Sequence, residues 1–146
     1  IAGILDGEGC ITIYRTDKKD YESPAYWTLK VDISNTYEPV MRYIHSLIGG
    51  SLLKTHCERR RPLWRITLTS RKASKFIKLV LPYLRIKKEQ ALLGLKLYKM
   101  IDEYAEKSKG LSNRYRRLPT EEIEGRNRII DNIKFLNRRG DLILSN

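Results

Sequence analysis

The chain has 146 residues, enough for one domain with a modest core. Lys and Arg number 29 against 17 Asp and Glu, and the formal charge of +12 points to a polyanionic partner, either nucleic acid or an acidic membrane. No apolar run approaches a membrane span and no leader pattern is present; Cys10 and Cys57 make neither a metal-ligand cluster nor a disulfide scaffold, and read as buried or half-buried thiols in a reducing compartment.

The first stretch, Ile1-Ala2-Gly3-Ile4-Leu5-Asp6-Gly7-Glu8-Gly9, reads as a short helix. Gly3 and Gly7 are four apart and share one face, where another backbone can come close. Glycine disfavours a helix interior by roughly 1 kcal/mol, so two on one face of an apolar helix ask for a reason. Asp6 and Glu8 arrive where the apolar pattern stops. Pattern alone fits two readings equally: a close-packed helix that delivers acid at its end, or a helix running into a Gly-rich turn with two surface acids. The chain opens inside this helix, so residues before Ile1 are expected.

Cys10 to Thr16 alternates, with Ile11 and Ile13 on one face and Thr12, Tyr14 and Thr16 on the other, as a half-buried strand does. Asp17 to Pro24 reads as a hairpin loop. Tyr26 to Ser34 alternates again, with Trp27, Leu29, Val31 and Ile33 inward and Tyr26, Thr28, Lys30 and Asp32 outward. A helix over Glu38 to Ile48 follows, with Pro39 near its start and Gly49-Gly50 at its stop. Ser51 to Cys57 and Leu63 to Thr69 form a second hairpin around Glu58 to Pro62, with Trp64, Ile66 and Leu68 inward and Arg65 and Thr67 outward. Ser70 is placed to cap a helix from Arg71, whose stripe is Ala73, Phe76, Ile77, Val80 and Leu81. Pro82 ends or kinks it. A further helix spans Lys88 to Ala105, with Ala91, Leu92, Leu95 and Tyr98 inward. The segment to Leu118 is polar and basic. Thr120 is placed to cap a last helix, Glu121 to Leu136, closed by Gly140. Helix–strand–strand thus occurs twice before a closing helix. The expected fold is α+β: an αββαββα core over residues 1–105, with one curved four-stranded antiparallel sheet, and a basic helical extension over 106–146 packed on it.

Between Lys54 and Glu89 there are twelve Lys or Arg and two acids. A two-stranded ribbon fits the major groove, where each base pair shows its own donor and acceptor pattern. Outward strand residues Thr12, Tyr14, Thr28, Lys30, Asp32, Lys54, Arg65 and Thr67 are the base-reading candidates, and His56 is placed to touch phosphate. The loop residues Lys18, Lys19, Arg59, Arg60 and Arg61 suit phosphate contacts that fix register. Arg116, Arg117, Arg138 and Arg139 fit either further phosphate contacts or a charged, solvated tail. His45 and His56 are too few and too scattered for a zinc site.

The opening nonapeptide closely resembles the signature of the LAGLIDADG homing endonucleases, Leu-Ala-Gly-Leu-Ile-Asp-Ala-Asp-Gly. It departs by Ile1 for Leu, Ile4 for Leu, Leu5 for Ile, Gly7 for Ala and Glu8 for Asp, changes that keep size or charge type. The order of elements over roughly Ile1 to Met100 resembles that family's core. There is one copy of the motif, and the resemblance implies a homodimer packed through Ala2, Gly3, Asp6 and Gly7. It further implies a site-specific double-strand DNA endonuclease that makes staggered cuts with Mg²⁺, of the intron-encoded or free-standing type. Mn²⁺ is expected to substitute, and Ca²⁺ to bind without supporting cleavage. By position, Glu8 and the Gly7 carbonyl correspond to metal ligands. Lys87, after Pro82-Tyr83-Leu84-Arg85-Ile86, corresponds to a lysine near the scissile phosphate, and Asn35 to a polar residue near the water network. Asn35 equally suits a turn before the next helix, and Lys87 plain surface charge. Asp6 is read as satisfying backbone donors near the motif helix rather than binding metal. The resemblance places such a protein in a bacterial or phage cytoplasm or an organelle matrix, without a membrane. The competing readings are a non-cleaving relative, an intron-RNA splicing factor or DNA-binding regulator, and an unrelated basic ribosome- or RNA-associated protein.

Overall fold

The computed structural model of the chain describes residues 1–17, 25–57, 60–109 and 118–143, the side chains of 56, 57, 60 and 139–143 excepted. The elements run α1 (Ala2–Glu8), β1 (Gly9–Thr16), β2 (Tyr26–Asn35), α2 (Glu38–Ile48), β3 (Ser51–Cys57), β4 (Arg60–Thr69), α3 (Ser70–Val80), a 3-10 turn (Leu81–Tyr83), α4 (Lys88–Lys107) and α5 (Thr120–Ile143). The α+β architecture and its single four-stranded antiparallel sheet are those the pattern predicts.

Each hairpin is a neighbouring pair, and the two join through β2 and β4 to give the order β1-β2-β4-β3. Gly9 pairs with Ile33 and Thr16 with Tyr26 across the first hairpin; Lys30 pairs with Thr69 and Asn35 with Trp64 across the join. The alternation in β1, β2 and β4 sends Ile11, Ile13, Trp27, Leu29, Val31, Ile33, Trp64, Ile66 and Leu68 to one face, all buried. Helices α2 to α5 pack on that face. Burying each such side chain is worth about 1.5–3 kcal/mol, which holds the register, since a one-residue slip would turn the whole set outward.

Several boundaries differ from the sequence reading. Strand β4 begins at Arg60, so Pro62 lies inside it. The β3–β4 register slips between Thr55 and Cys57, and a bulge of this kind tolerates a residue that donates no ladder bond. Ser70 does not cap α3. It is the first helical residue, at φ 49°, and Thr69 before it makes no side-chain cap bond. The strand runs into the helix with no loop residue between, and Ser70 absorbs the reversal. On α4 the inward stripe is Gln90, Ala91, Gly94 and Leu97, while Leu92 is 49% exposed. A Cβ at Gly94 would stand 2.8 Å from Leu29 Cδ1, so this helix lies close on the sheet through its smallest residues. Helix α5 starts at Thr120 itself and continues past Gly140.

α5 buries Ile129, Ile130 and Ile133. Asn137 Nδ2 donates to Ile11 O at 3.1 Å, and Trp27 Nε1 donates to Asn127 Oδ1 at 3.3 Å. Arg126 is buried with its charge answered: it pairs with Glu122 at 3.0 Å and donates to Met100 O at 3.4 Å. Its guanidinium lies 5.1 Å from the Trp27 ring centroid.

Between α2 and β3, Gly49 and Gly50 both adopt positive φ, 68° and 99°. A Cβ at Gly50 would meet Thr67 O at 2.7 Å. Gly50→Ala is therefore expected to lower stability by about 1–3 kcal/mol. Urea unfolding should show a lower midpoint at unchanged slope, and an unshifted midpoint would contradict this geometry.

Candidate carboxylate site and nucleic-acid interface

α1 buries Leu5 and Asp6 and exposes Ile1, Gly3, Gly7 and Glu8. Its end is fixed by one carboxylate. Asp6 Oδ2 accepts from Arg85 N at 2.8 Å, and Oδ1 accepts from Ile86 N at 3.2 Å and Lys87 N at 2.9 Å. The Lys87 ammonium donates to the Asp6 carbonyl. Burial pushes the Asp6 carboxyl up, but the three backbone N–H groups and the Lys87 charge outweigh it and hold it below its ordinary value. Asp6 thus satisfies three backbone donors within its own chain.

This clamp brings the Lys87 ammonium to the carbonyl of Asp6, two residues before Glu8 in the chain. Gly9 follows at once, its N–H bonded to Leu5 O. A Cβ on Gly9 would lie 2.6 Å from Leu5 O, so the turn from α1 into β1 needs glycine. Gly3 and Gly7 are different: a Cβ on either would meet nothing within 4 Å. The chain itself does not require glycine at those two places.

The β1–β2 register sets Gly9 beside Ile33, so Asn35, two residues on, ends β2 at the same edge as α1. Asn35 Oδ1 accepts from Tyr37 N at 2.8 Å. Its carbonyl oxygen serves the turn into α2, as one of its two sequence readings had it.

The face of the sheet away from the helices carries Thr12 and Tyr14 on β1, Lys30 and Asp32 on β2, and Arg65 and Thr67 on β4. These six candidates are brought together. Thr28 lies on that face but is buried, 7% exposed, covered among its neighbours. Lys54 is on the wrong face for a base reader. It pairs with inward Trp64, and its ammonium sits 5.2 Å from that ring centroid. The outward residues of β3 are Ser51, Leu53 and Thr55, paired with Thr67, Arg65 and Leu63. Adjacent apolar residues Leu52 and Leu53 hide the phase of this strand; the pairing of Leu52 with Ile66 reveals it. The sequence reading also passed over Cys10, Ser34 and Thr69. Cys10 is exposed on this face, not buried or half-buried, because it pairs with outward Asp32. Arg61 and Arg138 are exposed. Lys18, Lys19, Arg59, Arg116 and Arg117 lie outside the described residues, as do the side chains of His56, Arg60 and Arg139.

No group of three or more His, Cys, Asp or Glu that could hold a metal occurs among the described residues. At the end of α1 one chain offers the exposed Glu8 carboxylate and the Gly7 carbonyl, hard oxygen donors of the type Mg²⁺ takes but too few for a closed set. No helix among the described residues is long and apolar enough to cross a membrane.

Because the folded-state Asp6 carboxyl titrates low, it adds stability above its ordinary value of 3.8, and that contribution is lost as pH falls through the lowered value. Asp6→Asn is expected to cost about 2 kcal/mol at neutral pH, the order of a hydrogen-bonded charge. The gap from wild type should narrow on acidification below about pH 4. Thermal melts of both proteins along a pH series check this, and a gap that stays constant would contradict the clamp.

No curated protein matches the sequence. Solved structures share the fold at low identity. The homing endonuclease I-CvuI, in complex with its target in the presence of Ca²⁺, superposes with a TM-score of 0.68 at 17% identity, covering 92% of this chain and 78% of that one. I-GzeII in complex with its DNA target gives 0.65 at 15%, over 88% of this chain and 42% of that chain. The homing endonuclease I-TnaI gives 0.58 at 15%, over 90% and 94%. The family model of the LAGLIDADG endonucleases matches residues 1–102, the stretch that holds α1, the whole sheet and the Asp6 clamp. The chain belongs to the LAGLIDADG endonuclease family.

Proposed function

We propose that the chain is a homodimeric, site-specific double-strand DNA endonuclease. The observation that carries the proposal is the open glycine face of α1. Gly3 and Gly7 are exposed, demand nothing within the chain, and lie beside a lone carboxylate. A second α1 packed there, with Ala2, explains both glycines and brings a second Glu8. Asp6 stays with its own chain as the brace that sets the helix end. Two-fold symmetry then gives equivalent chemistry on each strand of a duplex.

Residues 1–105 form the catalytic and recognition unit in this reading, and residues 106–146 brace it through α5. The outward sheet face lies along the major groove. Lys30, Arg65, Thr12, Tyr14 and Thr67 address base edges, and the hairpin-loop and tail bases hold phosphates. I-CvuI and I-GzeII, solved with their DNA targets, support duplex DNA as the partner.

Glu8 and the Gly7 carbonyl from each chain would hold Mg²⁺, with Mn²⁺ as a substitute and Ca²⁺ as a binding-only ion. Bound there, Mg²⁺ supplies an activated water and offsets charge on the phosphoryl oxygens. I-CvuI has been solved with its target in the presence of Ca²⁺ and, separately, with the I-CreI target in the presence of Mg²⁺, the latter with DNA not cleaved. Lys87, tethered to the Asp6 carbonyl, would stabilise the developing anion or orient water. Asn35, at the end of β2 on the same edge, would help order solvent there. The product is a staggered double-strand break.

Glu8→Gln is expected to reduce cleavage to background while keeping specific binding, since shape is retained and the metal-holding charge is lost. Lys87→Ala is expected to slow cleavage about 100-fold with a smaller effect on affinity. Single-turnover cleavage with Mg²⁺, alongside binding in Ca²⁺, reads both. A Glu8→Gln protein that cuts at the wild-type rate would remove Glu8 from the metal site. A wild type that binds one duplex tightly yet cuts it with neither Mg²⁺ nor Mn²⁺ would favour a non-cleaving binder.

A further inference from the structure

On the outward face of the sheet, Asp32 stands opposite Thr67 in register, with Lys30 two residues away along β2. Both oxygens of Asp32 are engaged. Oδ1 accepts from Thr67 Oγ1 at 2.6 Å, and Oδ2 pairs with the Lys30 ammonium at 2.7 Å. The Lys30 and Asp32 side chains are 28% and 18% exposed, sheltered by the sheet yet reachable from outside. An isolated carboxylate facing a polyanion would repel it, but this one is neutralised by its neighbour.

The protons can be counted. A carboxylate paired with an ammonium only accepts, so the hydrogen bond with Thr67 uses the single hydroxyl proton of Thr67. Thr67 therefore turns only lone pairs toward a ligand. The Lys30 ammonium has three protons and gives one to Asp32, leaving two. The cluster presents a lysine with two donors beside a hydroxyl that can only accept, and Asp32 fixes both.

In the major groove a guanine–cytosine pair shows two neighbouring acceptors, guanine N7 and O6, followed by one donor, the cytosine N4 amino group. An adenine–thymine pair instead sets its one donor between two acceptors, which two protons from one ammonium do not match. We propose that Lys30, Asp32 and Thr67 act as one specificity unit for a guanine–cytosine pair: Lys30 donates to guanine N7 and O6, and Thr67 accepts from cytosine N4. Asp32 touches no base and is a positioning residue that sets the direction of the Thr67 hydroxyl. This inference rests on the duplex-DNA reading above and deepens it, since three residues that looked like separate readers become one.

The test begins with selection of preferred duplexes from a random pool by the full chain. Binding is then measured to the selected duplex and to duplexes changed one pair at a time. The wild type should prefer a guanine–cytosine pair at one position in each half-site. Thr67→Val and Asp32→Ala should each lose about tenfold in affinity for the selected duplex. Both should be near wild type on duplexes already changed at that position. The double variant should be no worse than Asp32→Ala alone, because losing Asp32 already removes the oriented Thr67 acceptor. Thr67→Ser, which keeps the hydroxyl, should retain the preference. Thr67→Val is close in shape to the native residue, so it carries the test if Asp32→Ala fails to fold. The unit is overturned if Thr67→Val weakens all duplexes alike, if the two variants act at different positions, or if the position selects adenine–thymine. If no duplex is preferred at all, the DNA reading falls and this inference with it; selection at other positions with none dependent on Thr67 sinks the inference alone.

Discussion

Three backbone N–H groups from the segment after α3 converge on one carboxylate, Asp6, and the rest of the site depends on that convergence. Taking a carboxylate out of water is costly unless it is hydrogen-bonded, and here the desolvation is offset by Arg85, Lys87 and Ile86 together with the Lys87 charge. The bonds span about eighty residues of sequence and tie the first helix to the stretch leading into α4. Because Asp6 is used this way, it leaves Glu8 as the one carboxylate at the helix end. The same contact delivers Lys87. A single buried acid thus ties down the end of α1 and holds Lys87 against it.

The sheet supplies a second constraint. β2 and β4 are both central, and each is fixed from within by Trp27, Leu29, Val31, Ile33, Trp64, Ile66 and Leu68. Packing of that inner face fixes the register in which the outer residues stand. Lys30, Asp32, Arg65 and Thr67 are held at strand spacing, and the Arg65 guanidinium is steadied by Ser34 at 3.3 Å. Such a surface meets a ligand with its donors and acceptors already arranged, so less side-chain ordering opposes binding.

The parts of this arrangement legible in the sequence are those with clear periodicity or a dense motif. Alternation placed β1, β2 and β4, and the nonapeptide placed the short helix α1 and the glycine turn that ends it. Other parts were hidden for physical reasons. Lys54 looked outward because Leu52 and Leu53 are both apolar, and only pairing with Ile66 and Trp64 sets the phase of β3. Leu92 looked inward because Gly94 carries no side chain to mark the true stripe of α4. Thr28 looked available because alternation gives a face, while burial depends on neighbours along it. The pairing of Asp32 with both Lys30 and Thr67 joins strands whose register no local pattern encodes.

The glycines in and just after α1 link the fold to the proposed chemistry. Gly9 is required by its own chain, through the closeness of Leu5, whereas Gly3 and Gly7 face open space. On this account that space belongs to the α1 of a second copy, and the site is incomplete without it. The mass of the wild-type protein in solution tests this most directly. Sedimentation equilibrium, with and without a bound duplex, should give twice the protein mass of one chain. A stable single-chain mass in both the DNA-free and DNA-bound states would contradict the account.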